Sequence, residues 1–259
     1  MAFPYGRVLM IGATSGIGRA MADRLVEAGA KVTAVGRRQD RLDEFVSKHG
    51  PEKAKAMSFD ISNKEKIPQF AAEVMNASPD LDCVFLNAGL QRHHDFAKPE
   101  TVELEDFYQE MNVNFSSFVA LTHAFIPYFI SKESPTSFIF TTSNLAIIPA
   151  SNMPAYSASK AALRAYILCL REQLRDTHVK IIELSPPAVQ TELHDYMGRH
   201  GRQIGMPLDA FTEEAYQELA ANSDEIIITS IISAQTAKEI VAKQRQASEE
   251  LANFLRGAK

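Results

Sequence analysis

Apolar runs of strand length alternate along this chain with stretches whose apolar positions recur every three or four residues. Six runs read as strands: Arg7–Ile11, Lys31–Val35, Ala54–Phe59, Cys83–Leu86, Ser137–Thr142 and Val179–Leu184. Between them lie helical patterns near Gly16–Ala28, Gln39–His49, Lys64–Ala77, Val102–Phe129 and Ala155–Arg175. The strands are nearly continuous in apolar character, as strands buried on both faces are, and the alternation predicts βαβ units with a parallel sheet covered by helices on both sides. After Ser185 the pattern loosens around Pro186, Pro187, Gly198, Gly201, Gly205 and Pro207, which predicts a long loop or lid over about 187–222. A last helix is expected near Thr236–Arg256. The segment Glu225–Ile232 reads either as its apolar lead-in or as a separate short element. No repeat or linker interrupts the pattern, so one domain over 1–259 is the simplest organisation.

Composition narrows the class. With 259 residues, 46% hydrophobic and 23% charged, the chain is built for a packed core rather than for disorder or a coiled coil. The net charge of −5 comes without a basic cluster, which argues against nucleic acid and anionic membranes as partners. The N-terminal stretch does not read as a secretory signal. The apolar segment Phe115–Ile130 is broken by Ser116, Ser117, Thr122, His123 and Pro127, so no membrane span is expected. Cys83 and Cys169 both fall in apolar patterns, as buried thiols of a reducing compartment would. No metal-ligand spacing is present.

Ligands of an open parallel sheet bind beyond the carboxyl ends of its strands, where loops gather and helix N-termini point their amides. In this chain the six runs stop at Gly12-Ala13-Thr14-Ser15-Gly16-Ile17-Gly18, Gly36-Arg37-Arg38, Asp60-Ile61, Asn87-Ala88-Gly89, Ser143-Asn144 and Pro186-Pro187. All six ends fall on one sheet edge, which implies one continuous site. The glycine spacing permits a tight turn and close backbone approach to a pyrophosphate at the start of the following helix. Tyr156 and Lys160, four residues apart, share a helix face, where an ammonium would favour the phenolate. Tyr128 and Lys132 have the same spacing. They fall at the tail of a helix rather than after a strand, and read as structural.

Four motifs in this order make the chain resemble the short-chain dehydrogenase/reductase family: Gly12-x3-Gly16-x-Gly18, Asn87-Ala88-Gly89, Ser143 placed thirteen residues before Tyr156, and Tyr156-x3-Lys160. The resemblance runs from Gly12 to about Thr191. It implies a Rossmann-like, doubly wound sheet of about six strands in the order 3-2-1-4-5-6. The family's usual seventh strand follows the last helix, and nothing strand-like follows Leu255. The implied catalytic set is Asn114, Ser143, Tyr156 and Lys160, with Asn112 as the nearby alternative to Asn114. Tyr156 would be the general acid and base, Lys160 would lower its pKa and hold the nicotinamide ribose, Ser143 would polarise the substrate oxygen, and Asn114 would hold a water. The implied cofactor contacts are Gly12, Thr14, Ser15, Gly16, Ile17, Gly18, Asp60, Ile61, Asn87, Ala88 and Gly89, then Pro186, Val189 and Thr191. Arg37 and Arg38 follow Gly36, where NAD-selective members carry an acidic residue. A guanidinium suits bidentate phosphate contact, so NADP(H) is favoured and NAD(H) is the alternative.

The expected function is hydride transfer between the nicotinamide and a carbonyl or alcohol carbon of a small, mainly apolar substrate, in the cytoplasm, by a homo-oligomer that dimerises through its two long helices. The rivals are a nucleotide-binding regulator without chemistry and a non-redox lyase or isomerase on the same fold. Ile11 in place of the threonine that usually precedes the first glycine, and Pro186-Pro187 in place of Pro-Gly, depart from the pattern. The second departure predicts a stiffer or rerouted lid. His93-His94 could line the substrate mouth with Gln91, Arg92 and Phe96, but reads more simply as surface loop.

Overall fold

The computed structural model describes residues 2–230 and 233–257. Strands β1 (Arg7–Ile11), β2 (Lys31–Gly36), β3 (Ala54–Ser58), β4 (Cys83–Leu86), β5 (Thr136–Thr141), β6 (Val179–Ser185) and β7 (Glu225–Ile227) form one sheet in the order β3-β2-β1-β4-β5-β6-β7. Every neighbouring pair is parallel. Because successive side chains point to opposite faces, β1 divides its apolar residues between two cores. Val8 and Met10 join Cys83, Phe85, Ile139 and Ile182 beneath α1 (Gly16–Glu27), α2 (Gln39–His49) and α7 (Leu208–Ala220). Leu9 and Ile11 join Val84, Leu86, Phe138 and Phe140 beneath α3 (Ile67–Ala77), α5 (Ser117–Ile130) and α6 (Pro154–Gln173). Two buried faces explain why the strands are apolar throughout rather than at every second residue.

The helical pattern Val102–Phe129 resolves into α4 (Leu104–Met111), a π-helical turn at Asn112–Ser116, and α5. The continuous helical run Leu104–Ile130 is longer than the apolar stretch Phe115–Ile130 taken alone, and its length and composition would suit a membrane span. Its apolar side chains are used otherwise. Phe118, Leu121, Phe125 and Phe129 are fully buried against the sheet.

Three features differ from the sequence reading. A seventh strand exists, but it precedes the last helix: Glu225, Ile226 and Ile227 pair with Glu183, Leu184 and Ser185. It is only three residues long, and its first side chain is held by Arg171 and Arg164 at 3.3 and 3.5 Å, contacts that no local pattern announces. Ile231 and Ile232, the end of the ambiguous segment, lie outside the described residues. The stretch 187–222 is more ordered than a loop, since it contains α7, which buries Phe211, Ala215, Tyr216 and Leu219. Cys83 is buried as expected, whereas Cys169 is exposed, because Leu163, Ile167 and Leu170 occupy the sheet-facing stripe of α6 and Cys169 lies outside it. The final helix, α8 (Ala234–Gly257), matches its expected span closely.

Candidate active site

A cleft of about 910 Å³ opens along the carboxyl edge of the sheet. Its floor is backbone. Gly12 has φ +86°, and a Cβ there would stand 2.6 Å from Ala88 Cα; one on Gly18 would stand 2.5 Å from Asn87 Nδ2 and collide with the Gly12 carbonyl. The glycine turn and the Asn87-Ala88-Gly89 turn therefore interlock at contact distance, and only glycine fits. Asn87 completes the joint, accepting from Thr141 Oγ1 at 3.0 Å while its Nδ2 lies 3.5 Å from the Gly12 carbonyl oxygen. Ser15, in extended conformation at the start of α1, makes no side-chain cap, so the first amides of α1 keep their capacity to bind an anion. Thr14, Ser15, Gly16, Ile17, Asp60, Ile61, Pro186, Val189 and Thr191 all line this cleft. Gly18 supports the floor from beneath.

The reacting groups gather at the end of β5. Ser143 follows the strand in extended conformation, and α6 starts eleven residues later with Pro154 at its first position, where the missing N–H costs nothing. One turn further along α6, Lys160 donates to the Thr141 carbonyl at 2.8 Å, with its ammonium 5.6 Å from the centre of the Tyr156 ring. Tyr156 and Ser143 line the same cleft, the Ser143 hydroxyl also accepting from the Leu145 amide at 3.1 Å. Asn114 sits in the π turn, a local unwinding that re-aims a side chain. Its amide bridges both backbone groups of Leu90 at 2.8 Å and reaches Ser159 at 3.1 Å. Asn112 instead donates to the Ser62 carbonyl at 3.0 Å. Of the two asparagines, only Asn114 joins the segment after Gly89 to the Tyr156 helix. Tyr128 and Lys132 both donate to the Pro79 carbonyl at 2.8 Å and do not line the cleft.

Burial sets the charges. It pushes the Lys160 ammonium down to about 7 and drives the Tyr156 phenol well above its ordinary range, with the Ser143 hydroxyl opposing the rise and the Glu110 and Tyr196 charges adding to it. Without a nucleotide, burial is the largest influence on both groups. Desolvation favours the neutral form of both groups.

At the rim, Arg37 is largely exposed, 3.9 Å from Asp60. Arg38 is engaged: its guanidinium donates to Thr14 Oγ1 at 3.0 and 3.2 Å and to Glu192 at 2.7 Å. The Arg38 guanidinium holds the Glu192 carboxyl below the usual range.

A family model described as short chain dehydrogenase matches residues 7–200. This chain belongs to the short-chain dehydrogenase/reductase family. It is an oxidoreductase of that family, similar to the uncharacterized oxidoreductase DltE of Bacillus subtilis (36% identical over 72% of this chain and 73% of the relative). It is 31% identical to serine 3-dehydrogenase of Rhizobium radiobacter over 72% and 73% of the two chains. The fold matches a short-chain dehydrogenase from Sphingobium yanoikuyae solved with NADPH, with a TM-score of 0.81, 20% identity and 95% of each chain covered. The closed form of a serine dehydrogenase with NADP+ aligns at a TM-score of 0.76 and 26% identity, over 86% of this chain and 94% of that one.

The family motifs left part of this cleft unread. After Pro187 a short bridge joins Val189 to Met206, with the helical turns Glu192–Gln203 between them. From those turns His194 and Tyr196 reach across to Gln91, each at 3.0 Å. His94 is not surface loop. It is buried against the fully buried Glu110 at 2.9 Å, while His93 stays exposed beside Asn152. Gln91, Arg92 and His93 do line the cleft, as their place after the Asn87-Ala88-Gly89 turn suggests, whereas Glu192 and His194 carried no sequence signal, because their partners lie more than a hundred residues away.

Proposed function

We propose that this oxidoreductase moves a hydride between NADP(H) and a carbonyl or alcohol carbon, with Tyr156 as general acid and base. The carrying observation is that Ser143, Tyr156 and Lys160 converge in the same cleft whose floor is the interlocked glycine turn. That floor and the uncapped start of α1 fit a dinucleotide diphosphate. Gly12 to Ile17 would cradle it, Asp60 and Ile61 would face the adenine, and Thr191, Val189 and Pro186 would close over the nicotinamide end.

A bound nicotinamide supplies the hydride. In the reduction direction the Ser143 hydroxyl donates to the substrate oxygen and polarises it, and Tyr156 Oη delivers the proton. The phenol, held protonated by burial, is in the right form to donate. Lys160, fixed on the Thr141 carbonyl, stands beside the phenolate that remains, whose charge draws the lysine back to its protonated form, and Asn114 holds the helix carrying both against the Leu90 segment. In oxidation the same groups act in reverse.

Arg37 supports NADP(H) over NAD(H), since its guanidinium is exposed at the end of β2 with only a loose partner. Arg37→Asp is expected to invert the preference toward NADH, and unchanged selectivity would remove Arg37 as the phosphate reader. The deciding experiment follows NADPH and NADH over a panel of ketones, aldehydes and quinones with the protein and with Tyr156→Phe. Turnover that falls about 10²–10⁴-fold in the variant, with nucleotide affinity intact, supports the reading. Tight nucleotide binding without turnover would favour a regulator, and a product of unchanged oxidation level a lyase or isomerase.

The same reading holds 1–259 as one nucleotide-binding domain with its lid at about 187–222, located in the cytoplasm. Dimerisation through the helices carrying Asn114 and Tyr156 is supported by Leu104 and Tyr108, exposed apolar residues of α4. Sedimentation of the protein beside Tyr108→Glu tests it.

A further inference from the structure

Gln91 lies two residues past Gly89 and is only 8% exposed, yet it lines the same cleft as Ser143 and Tyr156. Its Oε1 accepts from Tyr196 Oη and lies within hydrogen-bond distance of His194 Nδ1, both at 3.0 Å. His194 is itself 5% exposed, and both partners belong to the helical turns Glu192–Gln203. The Tyr196 hydroxyl on the carboxamide oxygen sets the rotation of the amide, which leaves the nitrogen on the other side. Among the described residues Nε2 donates to no acceptor.

An amide held by its oxygen keeps two N–H donors for whatever enters the cleft. Leu145, Ile148, Met153, Leu193 and Met197 make part of the cleft wall apolar, with Ser143, Asn152 and Tyr156 among its polar residues. A substrate oxygen beside Gln91 would take one of these donors from water. Charge selects its kind. A neutral amide brings no charge to offset the hydration a carboxylate would lose, and Glu110, fully buried with its Oε2 unpartnered among the described residues, adds none. Of the cations along the cleft, Arg92 is engaged by Gln109 and Asp106, Arg38 by Glu192, and Lys160 by the Thr141 carbonyl. The site therefore favours a neutral oxygen over a second carboxylate.

We propose that the substrate bears a second, neutral oxygen, a hydroxyl or a carbonyl, close to the reacting carbonyl, and that Gln91 Nε2 recognises it. Hydroxyketones and diketones are the implied class. This rests on the hydride-transfer reading and replaces its mainly apolar substrate with a bifunctional one.

The test compares 2,3-butanedione and acetoin with 2-butanone, using the full chain and Gln91→Glu. Glutamate keeps an oxygen for both His194 and Tyr196 but removes the donor. The protein is expected to prefer the bifunctional compounds in kcat/KM by about ten-fold or more, since a site built to donate to an oxygen rejects the analogue lacking it. In Gln91→Glu that preference should shrink to about two-fold, the ratio being read independently of any change in the turnover of 2-butanone itself. Preference retained in the variant, or absent in the parent, overturns the proposal. Ligand-observed NMR of the same compounds with nucleotide-free protein gives a second reading that needs no turnover. Bifunctional ligands binding better to the parent than to Gln91→Glu would support Gln91 even if hydride transfer failed, and equal binding by both would overturn it.

Discussion

The two ends of the cleft are made of different material. The nucleotide end is backbone: a glycine turn, a second turn pressed against it and the uncapped start of a helix, contributed by consecutive elements β1, α1 and β2 and by neighbouring β4. The substrate end is made of side chains brought from far apart, Gln91 to His194 and Tyr196, His94 to Glu110, Arg38 to Glu192. Backbone sites tolerate almost no change of shape. Side-chain sites tolerate changes of shape and are sensitive to loss of a partner, because the group left behind is buried and uncompensated.

That contrast is tested most severely behind the catalytic strand. Glu183 is fully buried, accepts from Thr142 at 2.7 Å and pairs with Arg164, which stands one turn beyond Lys160 on α6 and also reaches Gln244 at 3.1 Å. Arg164→Met should strand the Glu183 carboxylate and cost about 3–5 kcal/mol in urea unfolding. A loss under about 1 kcal/mol would mean that the pair is dispensable. The double variant Arg164→Met with Glu183→Gln should recover much of the stability, as removing both charges is far cheaper than removing one.

Next comes the buried ammonium. Lys160 titrates near 7 in the folded protein and near its ordinary value of 10.5 once unfolded. The unfolded chain therefore binds more protons between those limits, and stability should rise as pH climbs through that window, with the full cost of the buried charge felt below it. Urea midpoints of nucleotide-free protein from pH 6 to 9 check this. Lys160→Met should flatten the slope, and an unchanged slope would locate the titration elsewhere.

Gly18→Ala probes the backbone end. The added methyl meets the Gly12 carbonyl and Asn87, and overpacking of this kind costs about 1–3 kcal/mol. Nucleotide affinity should drop while the hydrogen bonds among Gln91, His194 and Tyr196 remain. Equal affinity by calorimetry would show that the two turns can part.

The smallest effect is expected at the rim. Glu192→Gln frees Arg38 from a partly exposed carboxylate, so NADPH should bind about two- to five-fold more tightly, as befits a screened ion pair. Weaker binding would make Glu192 a positioner of Arg38 rather than its competitor.

Much of this was legible from sequence for a physical reason. The βαβ alternation, the glycine turn and the Tyr156–Lys160 pair depend on spacing over a few residues, and their strand ends came within about one residue of the structure. What stayed hidden depends on contacts across the chain. The three-residue β7 is held by arginines from α6, the exposed face of Cys169 depends on how α6 turns against the sheet, and His94 is buried only because α4 brings Glu110 to it. The decoy pair Tyr128 and Lys132 shares its spacing with Tyr156 and Lys160. Only packing shows that it ends on Pro79.

Sequence by itself determined which elements form and which edge of the sheet carries the chemistry, because periodicity and turn residues act locally. The tertiary structure alone decided which polar groups are buried, how they are charged and which are left facing the cleft. Desolvation and partner choice depend on residues that meet only after the chain has folded.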